Sequence, residues 1–498
     1  MPEHPRQPGG ATRRRAAGRC LAGLGVLALL SGCVSAPPEL GVPLPPKYLG
    51  TRSTPAAAPS QTWVRGFGSA ELDRLVAAAL AGNLDVEAAI ARVNQAEARA
   101  VVTRSPLLPT LGGSADASRQ QISGTGLGGG GSAFARNAFS LGLSASYQLD
   151  LFARTRYAAA SADQAAIAVR FDRDTVALST VALVANAYFS VLSAQDRLRI
   201  AEDNLGIANR VLDAVRGRLT VGTGTALDTA QQESVVATQR ATIPPLRQEL
   251  ARNRNLLAIL IGRTPEGVNV TGGSLDRLRL PAVRAGLPAQ LLLRRPDIGR
   301  EEANLASAEL SVASARAAFF PSIQLSAGGG FQSAALRTLL GGSSAVYSLA
   351  AGLTQPIIDN GALRGQLALG QGRAAEFAAN YRKAIIQSLV DVENALVAVR
   401  ETAEYEARQR EAVAASRRAL EITEQRLREG TIDVVTLFNT QTTLFGNQDA
   451  LARVRLQRFS ATVSLFQALG GGWEAPRAAA VARTDAPQPL SFDWQLRP

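Results

Sequence analysis

Histidine, methionine and cysteine are nearly missing from this sequence. Its 498 residues include one His, one Met and two Cys, and all of them lie in the first 33 positions, as Met1, His4, Cys20 and Cys33. The rest of the chain therefore lacks the ligands of His/Cys metal sites and of haem, the partners of a disulfide, and the residues of Ser-His-Asp and Cys-His catalysis. We predict no catalytic residue, no cofactor and no metal site, and we expect that the protein is not an enzyme.

Lysine is scarce as well. Lys47 and Lys383 are the only two, so the net charge of +12 at pH 7 is carried by arginines spread along the chain. A nucleic-acid-binding surface needs a basic cluster interleaved with aromatic residues, and aromatic residues make up only 5% of this sequence. We therefore expect no nucleic-acid partner.

Residues 1–32 have the pattern of an export signal. Arginines at 13–15 precede the apolar stretch 20–30, which is too short to span a bilayer. The segment ends in Leu30-Ser31-Gly32-Cys33, which resembles the bacterial lipobox, where the cysteine is acylated and becomes the new N-terminus. We predict lipidation at Cys33, a linker over residues 33–60 and, because Cys33 is not followed by Asp, sorting to the outer membrane. An ordinary signal peptide with an incidental cysteine is the alternative.

The sequence repeats itself at a shift of 208 residues. Residues 184–187 match residues 392–395, and Gly222-Thr223 matches Gly430-Thr431. A shared shift over this length indicates a tandem duplication. The predicted segments are a first repeat over 61–264, a linker over 265–296, a second repeat over 297–473 and a tail over 474–498.

Each repeat contains segments in which apolar and polar residues alternate. Residues 139–151 have apolar side chains at odd positions, and residues 323–331 and 347–353 show a similar alternation. The two expected β-hairpins, over 110–151 and 322–358, carry the apolar-out, polar-in signature of a membrane barrel, although a half-buried sheet in a soluble domain also alternates. Four strands cannot close a barrel and lipid tolerates no open edge, so such a barrel has to be shared between chains. Twelve strands from three chains leave a lumen, whereas eight strands from two chains are nearly filled.

Two helical hairpins are expected after the strands, over residues 153–261 and 361–469. Their first arms contain no proline and keep a seven-residue apolar repeat, which predicts supercoiled packing against neighbouring helices. In the first return arm, Pro244-Pro245 is expected to interrupt or kink the helix. Two such hairpins enclose little space, but three chains supply twelve helices around a common axis.

Two further segments carry a family resemblance. Residues 286–298 read Gly-Leu-Pro-Ala-Gln-Leu-Leu-Leu-Arg-Arg-Pro-Asp-Ile, and residues 317–323 read Ala-Ala-Phe-Phe-Pro-Ser-Ile. Together with the duplication, they resemble the TolC-like outer membrane efflux family, specifically its lipidated branch of the NodT and OprM type. The resemblance covers roughly residues 60 to 473.

The resemblance implies a mixed α and β membrane protein. Three chains would share a twelve-stranded β-barrel and a twelve-helix periplasmic α-barrel, lipid-anchored at Cys33. The implied function is a passive exit duct for drugs or other small molecules in the outer membrane. The implied partners are an inner-membrane RND transporter, a periplasmic adaptor and two further copies of the chain.

The resemblance also assigns candidate sites. The tips of the helical hairpins would meet the adaptor, at Val221, Gly222, Thr223, Glu429, Gly430 and Thr431. The periplasmic end would be closed at Val435, Thr436, Asn439 and Thr442. Because Asn439 stands where the family commonly has Asp, and Thr442 where close relatives have Arg, we expect no strongly cation-attracting ring there. Three acidic residues are candidates for charge at the tips or in the lumen: Asp228, Asp433 and Asp150. Alternatively, they start helices or form salt bridges.

Two other functions fit the same sequence. A duct of this architecture also serves type I protein secretion. A structural coiled-coil lipoprotein of the periplasm, with the strands buried in a soluble domain, would form no channel.

Overall fold

The structure is a computed structural model, and it describes residues 42–49, 62–122, 133–283 and 285–473. The predicted signal segment, the lipidation site Cys33 and the tail from residue 474 lie outside the described residues. All elements below belong to the unit that begins at Leu44.

Seven α-helices and four β-strands make up the described part of the chain. In chain order the helices are α1 (Ala70–Gly82), α2 (Leu84–Arg104), α3 (Arg154–Thr220), α4 (Ala226–Leu260), α5 (Pro296–Ala317), α6 (Ala362–Arg428) and α7 (Val434–Ala468). The strands are β1 (Thr110–Ile122), β2 (Phe134–Leu149), β3 (Ser322–Ser333) and β4 (Ala345–Thr354). Each pair of strands is thus followed by a long helix and a shorter return helix.

The helical hairpins of the two repeats have helices of identical length. Helices α3 and α6 have 67 residues each, and α4 and α7 have 35 each. Every bound of α6 and α7 lies 208 residues after the corresponding bound of α3 and α4. The duplication seen in the sequence is therefore also a duplication of structure.

Helix α4 continues through Pro244 and Pro245. An interruption or a kink was expected here, and the interruption is wrong, whereas the kink stays a prediction. Proline removes single backbone hydrogen bonds, but Ile243 and Leu246, which flank the pair, are buried against Ala201 of α3. This packing holds the helix together across the missing donors.

The core of the protomer lies around the middle of α3. Trp63, in a short 3-10 helix before α1, stacks on Phe466 of α7 with 4.6 Å between ring centroids. Phe189 of α3 packs against Phe67 and Phe459, each at 4.9 Å. Within the described residues, α3 is also the helix that is long and apolar enough to cross a membrane, and half of its most apolar stretch is buried. Because that stretch supplies Phe189 and its neighbours, protein packing accounts for its apolar character.

The strands form one antiparallel sheet in the order β1-β2-β3-β4. Strand β2 begins at Phe134 and ends at Leu149, whereas the alternation predicted residues 139–151; the chain turns at Asp150 to start α3. Strand β4 ends at Thr354 instead of reaching 358, because Pro356 has no N–H to continue the ladder. The β2–β3 ladder joins the two repeats.

Candidate functional site

The sheet has one apolar and one polar face. Paired residues point to the same side of a sheet, and Leu141 pairs with Ala115 on one side and with Phe331 on the other. The opposite face carries mostly small hydroxyl and amide side chains: Ser114, Ser118, Ser140, Ser144, Ser146, Gln148, Gln324, Ser326, Gln332 and Ser348. Both faces are open in the single chain, and Tyr347 on the apolar face is 87% exposed. An uncovered apolar face with several exposed large side chains, among them Leu143, Tyr347 and Leu349, is typical of a contact with lipid or with another protein.

The outer edges of the sheet are unpaired within the described residues. Strand β1 pairs with β2 alone, and β4 with β3 alone. Each outer edge therefore presents a row of backbone N–H and C=O groups that need partners. The strands of one protomer therefore form an open sheet with β1 at one edge and β4 at the other.

The ladder between β2 and β3 leaves no room for a side chain at Gly330. A Cβ at this position would lie 2.2 Å from the carbonyl oxygen of Leu141 and 2.6 Å from the Cα of Gly142. Gly142 is the strand partner of Gly330. Glycine is thus required at the centre of the ladder that joins the two repeats.

Asp150 starts the first long helix. Its carboxylate accepts hydrogen bonds from the backbone N–H groups of Thr155 (3.1 Å) and Arg156 (2.9 Å) and pairs with the Arg156 guanidinium at 3.3 Å. Asp359 accepts two backbone hydrogen bonds at the start of α6, and these bonds, donated by the N–H groups of Leu363 and Gly361, lower the pKa of Asp359. The structure therefore gives Asp150 a capping and ion-pairing role, one of the alternatives considered for it.

The hairpin tips have the same geometry in both repeats. Gly222 and Gly430 adopt left-handed backbone angles, with φ of 76° and 72°. The N–H of Thr223 reaches the carbonyl of Arg218 at 2.9 Å, and the N–H of Thr431 reaches that of Arg426 at 3.0 Å. These are Schellman turns, which explain the glycines through the backbone alone.

The tips also present an exposed surface. All six predicted tip positions, Val221, Gly222, Thr223, Glu429, Gly430 and Thr431, are exposed. Val221, an apolar residue, is 73% exposed at the very end of the first hairpin. The structure thus places the predicted docking residues together at one end of the helices.

Two arginines of α3 connect the first hairpin to the second. Near the tips, Arg218 donates to the carbonyl oxygen of Leu427 at 3.0 Å. Farther along, Arg197 pairs with Asp449 of α7 at 2.6 Å and with Glu249 of α4 at 2.7 Å. Burial alone would lower the pKa of Arg197, but the hydrogen bonds to these carboxylates raise it, so the guanidinium stays charged.

The predicted gate residues lie along one side of α7. Val435, Thr436, Asn439 and Thr442 are all exposed in the protomer, whereas Leu437, Gln441 and Leu444 on the same stretch of helix are buried. From Val434 to Gln448 the helix carries no charged residue. The exposed side of α7 near the tip is therefore neutral and rich in hydroxyl groups.

Asp228 and Asp433 begin the two return helices. Asp228 forms a capping box with Thr225, in which each side chain accepts a hydrogen bond from the other residue's backbone N–H. Asp433 accepts from the N–H of Thr436 at 2.8 Å and from its hydroxyl at 2.6 Å, and these bonds lower the pKa of Asp433. The structure gives both residues the helix-starting role, and it ties the predicted gate residue Thr436 to Asp433.

Sequence reasoning missed a buried acid on α6. Glu406 is 1% exposed and is held by Arg410 at 2.6 Å, Arg455 at 3.1 Å and Arg458 at 2.7 Å. Arg455 also pairs with Asp276 in the segment between the repeats. Burial alone would raise the pKa of Glu406, but the hydrogen bonds from the arginines lower it. The only sequence signal was a charged residue in an otherwise apolar heptad.

The motif between the repeats has a structural role that its sequence did not reveal. Arg295 pairs with Asp297 at 2.7 Å and with Asp391 of α6 at 2.9 Å, and it lies within 3.4 Å of the carbonyl oxygen of Ala468 at the end of α7. It thus fastens the start of α5 to both helices of the second hairpin. Within the described residues, no group of three or more His, Cys, Asp or Glu side chains is placed to hold a metal ion.

Comparison with known proteins places the chain in a family. The model of the outer membrane efflux protein family matches residues 75–263 and 287–471, one segment for each repeat. The chain belongs to the outer membrane efflux protein family. Its relatives in the family include efflux proteins of the NodT and OprM type, whose fold is that of the TolC-like outer membrane channels.

Three similar proteins illustrate the match. The chain is 39% identical over 467 residues to the pyoverdine export outer membrane protein OpmQ of Pseudomonas aeruginosa, covering 92% of this chain and 97% of that one. It is 31% identical over 457 residues to the toluene efflux pump outer membrane protein TtgC of Pseudomonas putida, covering 89% and 94%. The solved structure of the outer-membrane channel OprN is 27% identical, with a TM-score of 0.82 over 89% of this chain and all of that one.

Proposed function

We propose that three copies of this chain form the outer-membrane exit duct of a tripartite efflux system of the RND type. The duct passively conducts small molecules from pump and adaptor to the exterior. The observation that carries this proposal is the open sheet, which has one apolar face, one polar face and two unpaired outer edges.

The sheet satisfies its edges when copies join in a ring. The outer edge of β4 pairs with β1 of the next copy, and three copies give a closed barrel of twelve strands. The apolar face then meets lipid and the serine- and glutamine-rich face lines the lumen. Fewer copies would leave too little room for a lumen.

The helices extend the duct into the periplasm. A helix of 67 residues is about 100 Å long, and three copies supply twelve long or return helices around one axis. At the far end, the tip residues such as Val221 and Gly430 meet the periplasmic adaptor. The neutral side of α7, with Asn439 and Thr442, faces the narrow end of the tube. A lipid on Cys33 anchors the chain to the outer membrane.

In this proposal the pump, and not the wall of the duct, selects the molecules that are exported. Two of the similar proteins are named for the export of pyoverdine and of toluene, which are small molecules. We therefore favour small-molecule efflux over type I protein secretion and over a structural periplasmic lipoprotein. As a passive duct, the chain needs no cofactor and no enzymatic activity.

Two measurements test the proposal. Purified full-length protein is added to a planar lipid bilayer, where a duct gives stepwise conductance and a structural lipoprotein gives none. In parallel, accumulation of a fluorescent efflux dye is compared in a deletion strain and in the same strain with the gene restored. We expect raised accumulation that the gene reverses, and a Cys33→Ser gene shows whether the anchor contributes. Unchanged dye accumulation together with a loss of secreted proteins would contradict small-molecule efflux and support type I secretion.

A further inference from the structure

A groove on α3 is lined with arginines from the two neighbouring helices. It has a volume of about 670 Å³ and is formed by residues of α2, α3 and α5. Helix α3 contributes small apolar side chains, among them Ala162, Ala165 and Val169, and α2 contributes Arg92 and Arg99. A groove of this size has room for a small organic molecule. We call it the arginine groove.

Two of the three arginines in the arginine groove lack an acidic partner. Arg300 of α5 pairs with Asp172 at 3.0 Å and with Glu301 at 2.9 Å. Arg92 and Arg99 are exposed and form no ion pair with any described residue. These two guanidinium groups are therefore available to a ligand of negative charge.

Acidic residues of the contact between α2 and α3 are engaged by other arginines. Glu97 pairs with Arg170 at 2.6 Å, and Asp163 pairs with Arg104 at 2.6 Å. Asp172 is the one acidic residue that lines the arginine groove, against three arginines, which leaves the lining with a net charge of +2. An anion entering the groove meets an excess of positive charge.

The spacing of the two free arginines suits an anion with more than one acidic group. Arg92 and Arg99 are seven residues apart on α2, which places them on the same face and about 10 Å apart along the helix axis. Gln95, between them on that face, also lines the groove and has an amide N–H to donate. Acidic groups can bind at the two arginines while an apolar body lies on the alanines of α3.

The arginine groove and the packed core lie on opposite sides of α3. Phe171 of α3 packs edge to face on Trp473 at 5.8 Å, and Asp174 accepts a hydrogen bond from the indole N–H of Trp473 at 3.0 Å. At 100° per residue, Ala162 and Val169 lie about 180° and 160° around the helix from Phe171. A tube of three chains keeps its lumen clear only if Trp473 and the segments packed around it lie outside. The arginine groove then faces the lumen.

We propose that the arginine groove is a transit site for small organic anions in the wall of the duct, where Arg92 and Arg99 hold their acidic groups. This inference rests on the proposed function, because only the assembled tube makes the groove a part of the lumen. Each of three copies contributes two such arginines, and a wall of low dielectric constant strengthens their attraction. The pump still selects the cargo, and the groove gives acidic cargo a place to bind on its way out.

Binding of a fluorescent anion to the solubilised full-length protein tests the site. The probe is pyrene tetrasulfonate, a flat organic anion, and ethidium is the flat cation for comparison. Fluorescence anisotropy at low ionic strength gives the affinity of the wild type and of Arg92→Gln with Arg99→Gln. Arg92→Lys with Arg99→Lys keeps both charges. Arg263→Gln with Arg279→Gln removes two exposed arginines outside the groove and is the control for net charge.

We expect the glutamine variant of the groove to bind pyrene tetrasulfonate about tenfold more weakly than the wild type. The lysine variant and the net-charge control should bind nearly as the wild type does, and none should prefer ethidium. In a planar bilayer, the same anion should reduce the current through the wild type, and the glutamine variant should need about ten times more of it.

The two readouts separate the site from the duct. Equal affinities of the wild type and the glutamine variant, in a protein that conducts, overturn the anion site and leave the duct intact. A loss of affinity in the net-charge control as large as that in the glutamine variant also overturns it. Binding that depends on Arg92 and Arg99 but never reduces the current overturns the luminal position. A wild type that gives no conductance overturns the duct and the transit site together.

Discussion

The carboxylate of Glu406 lies 2.7 Å from the guanidinium of Arg458, inside the second helical hairpin. The corresponding positions of the first repeat, 208 residues earlier, are Leu198 and Leu250, which are partly buried apolar residues. One repeat thus has an ion pair at positions where the other has two partly buried leucines. Because the chain contains both solutions at equivalent places, it offers its own control for their relative stability.

Glu406→Leu is expected to destabilise the protein, and a second change is expected to restore much of the loss. The single change leaves Arg455 and Arg458 half-buried without their shared partner, at a cost of about 3 kcal/mol. Adding Arg458→Leu recreates the pattern of the first repeat, while Arg455 keeps its pair with Asp276. The readout is the temperature at which the proposed trimer dissociates on heating, for the wild type, both single variants and the double variant. Additive losses in the double variant would show that the two residues are not coupled.

Stability at low pH is expected to depend on Glu406. Its pKa in the folded chain is lowered from the ordinary value of 4.5, chiefly because hydrogen bonds from Arg458 and Arg455 outweigh burial. The stabilisation is therefore complete above pH 4.5 and is lost as the pH falls through the lowered pKa. We expect the dissociation temperature of the wild type to fall more steeply below this pH than that of Glu406→Gln. Parallel curves for the two proteins would show that Glu406 does not titrate as described.

Periodicity allowed most of the architecture to be predicted. The heptads and the shift of 208 residues predicted two equivalent helical hairpins, and the structure has them with identical lengths. The start of β2 was missed because residues 134–138 include Arg136 and Asn137, which hide the alternation. The continuity of α4 was missed because a proline pair argues locally against a helix, whereas the packing of Ile243 and Leu246 acts from outside the segment.

The contacts that fasten the hairpins could not be read from the sequence. Arg295 and Asp391 are 96 residues apart and Arg197 and Asp449 are 252 apart, so no local pattern pairs them. Glu406 interrupts the apolar heptad of α6, and two of the three arginines that hold it, Arg455 and Arg458, come from the return helix. The helix caps were easier to predict from the sequence, because an acidic residue placed just before a helix is a common N-cap. Asp433 is an example.

Backbone strain before α3 provides a third prediction. Ala153 has a φ of 61°, and its counterpart Gly361 before α6 has a φ of 87°. An alanine in this left-handed region costs about 1 kcal/mol, so Ala153→Gly should stabilise the protein and Gly361→Ala should destabilise it by a similar amount. A Cβ at Gly361 meets no atom within 4 Å, so its effect is a backbone effect. Gly365→Ala, inside α6 and equally unobstructed, is the control and is expected to stabilise slightly.

The close approach at Gly330 provides a fourth prediction. Gly330→Ala places a methyl group 2.2 Å from the carbonyl oxygen of Leu141, which forces β2 and β3 apart. We expect a loss of more than about 2 kcal/mol and a large fall in the yield of the proposed trimer in membranes. Gly352→Ala in β4 is the matched control, since its Cβ has no neighbour within 4 Å and should leave the yield unchanged. Equal yields from both variants would mean that the ladder tolerates the methyl group.

The neutral side of α7 leads to the last prediction, which concerns ion selectivity. If Asn439 and Thr442 face the narrow end of the duct, the wild-type channel should discriminate only weakly between cations and anions, because no charge occurs from Val434 to Gln448. Asn439→Asp in three copies adds a ring of three carboxylates, and the reversal potential in a salt gradient should move toward the cation value. Asn439→Ser keeps the site neutral and should behave as the wild type does. If Asn439→Asp and Asn439→Ser have the same reversal potential, this side of α7 does not line the conducting path.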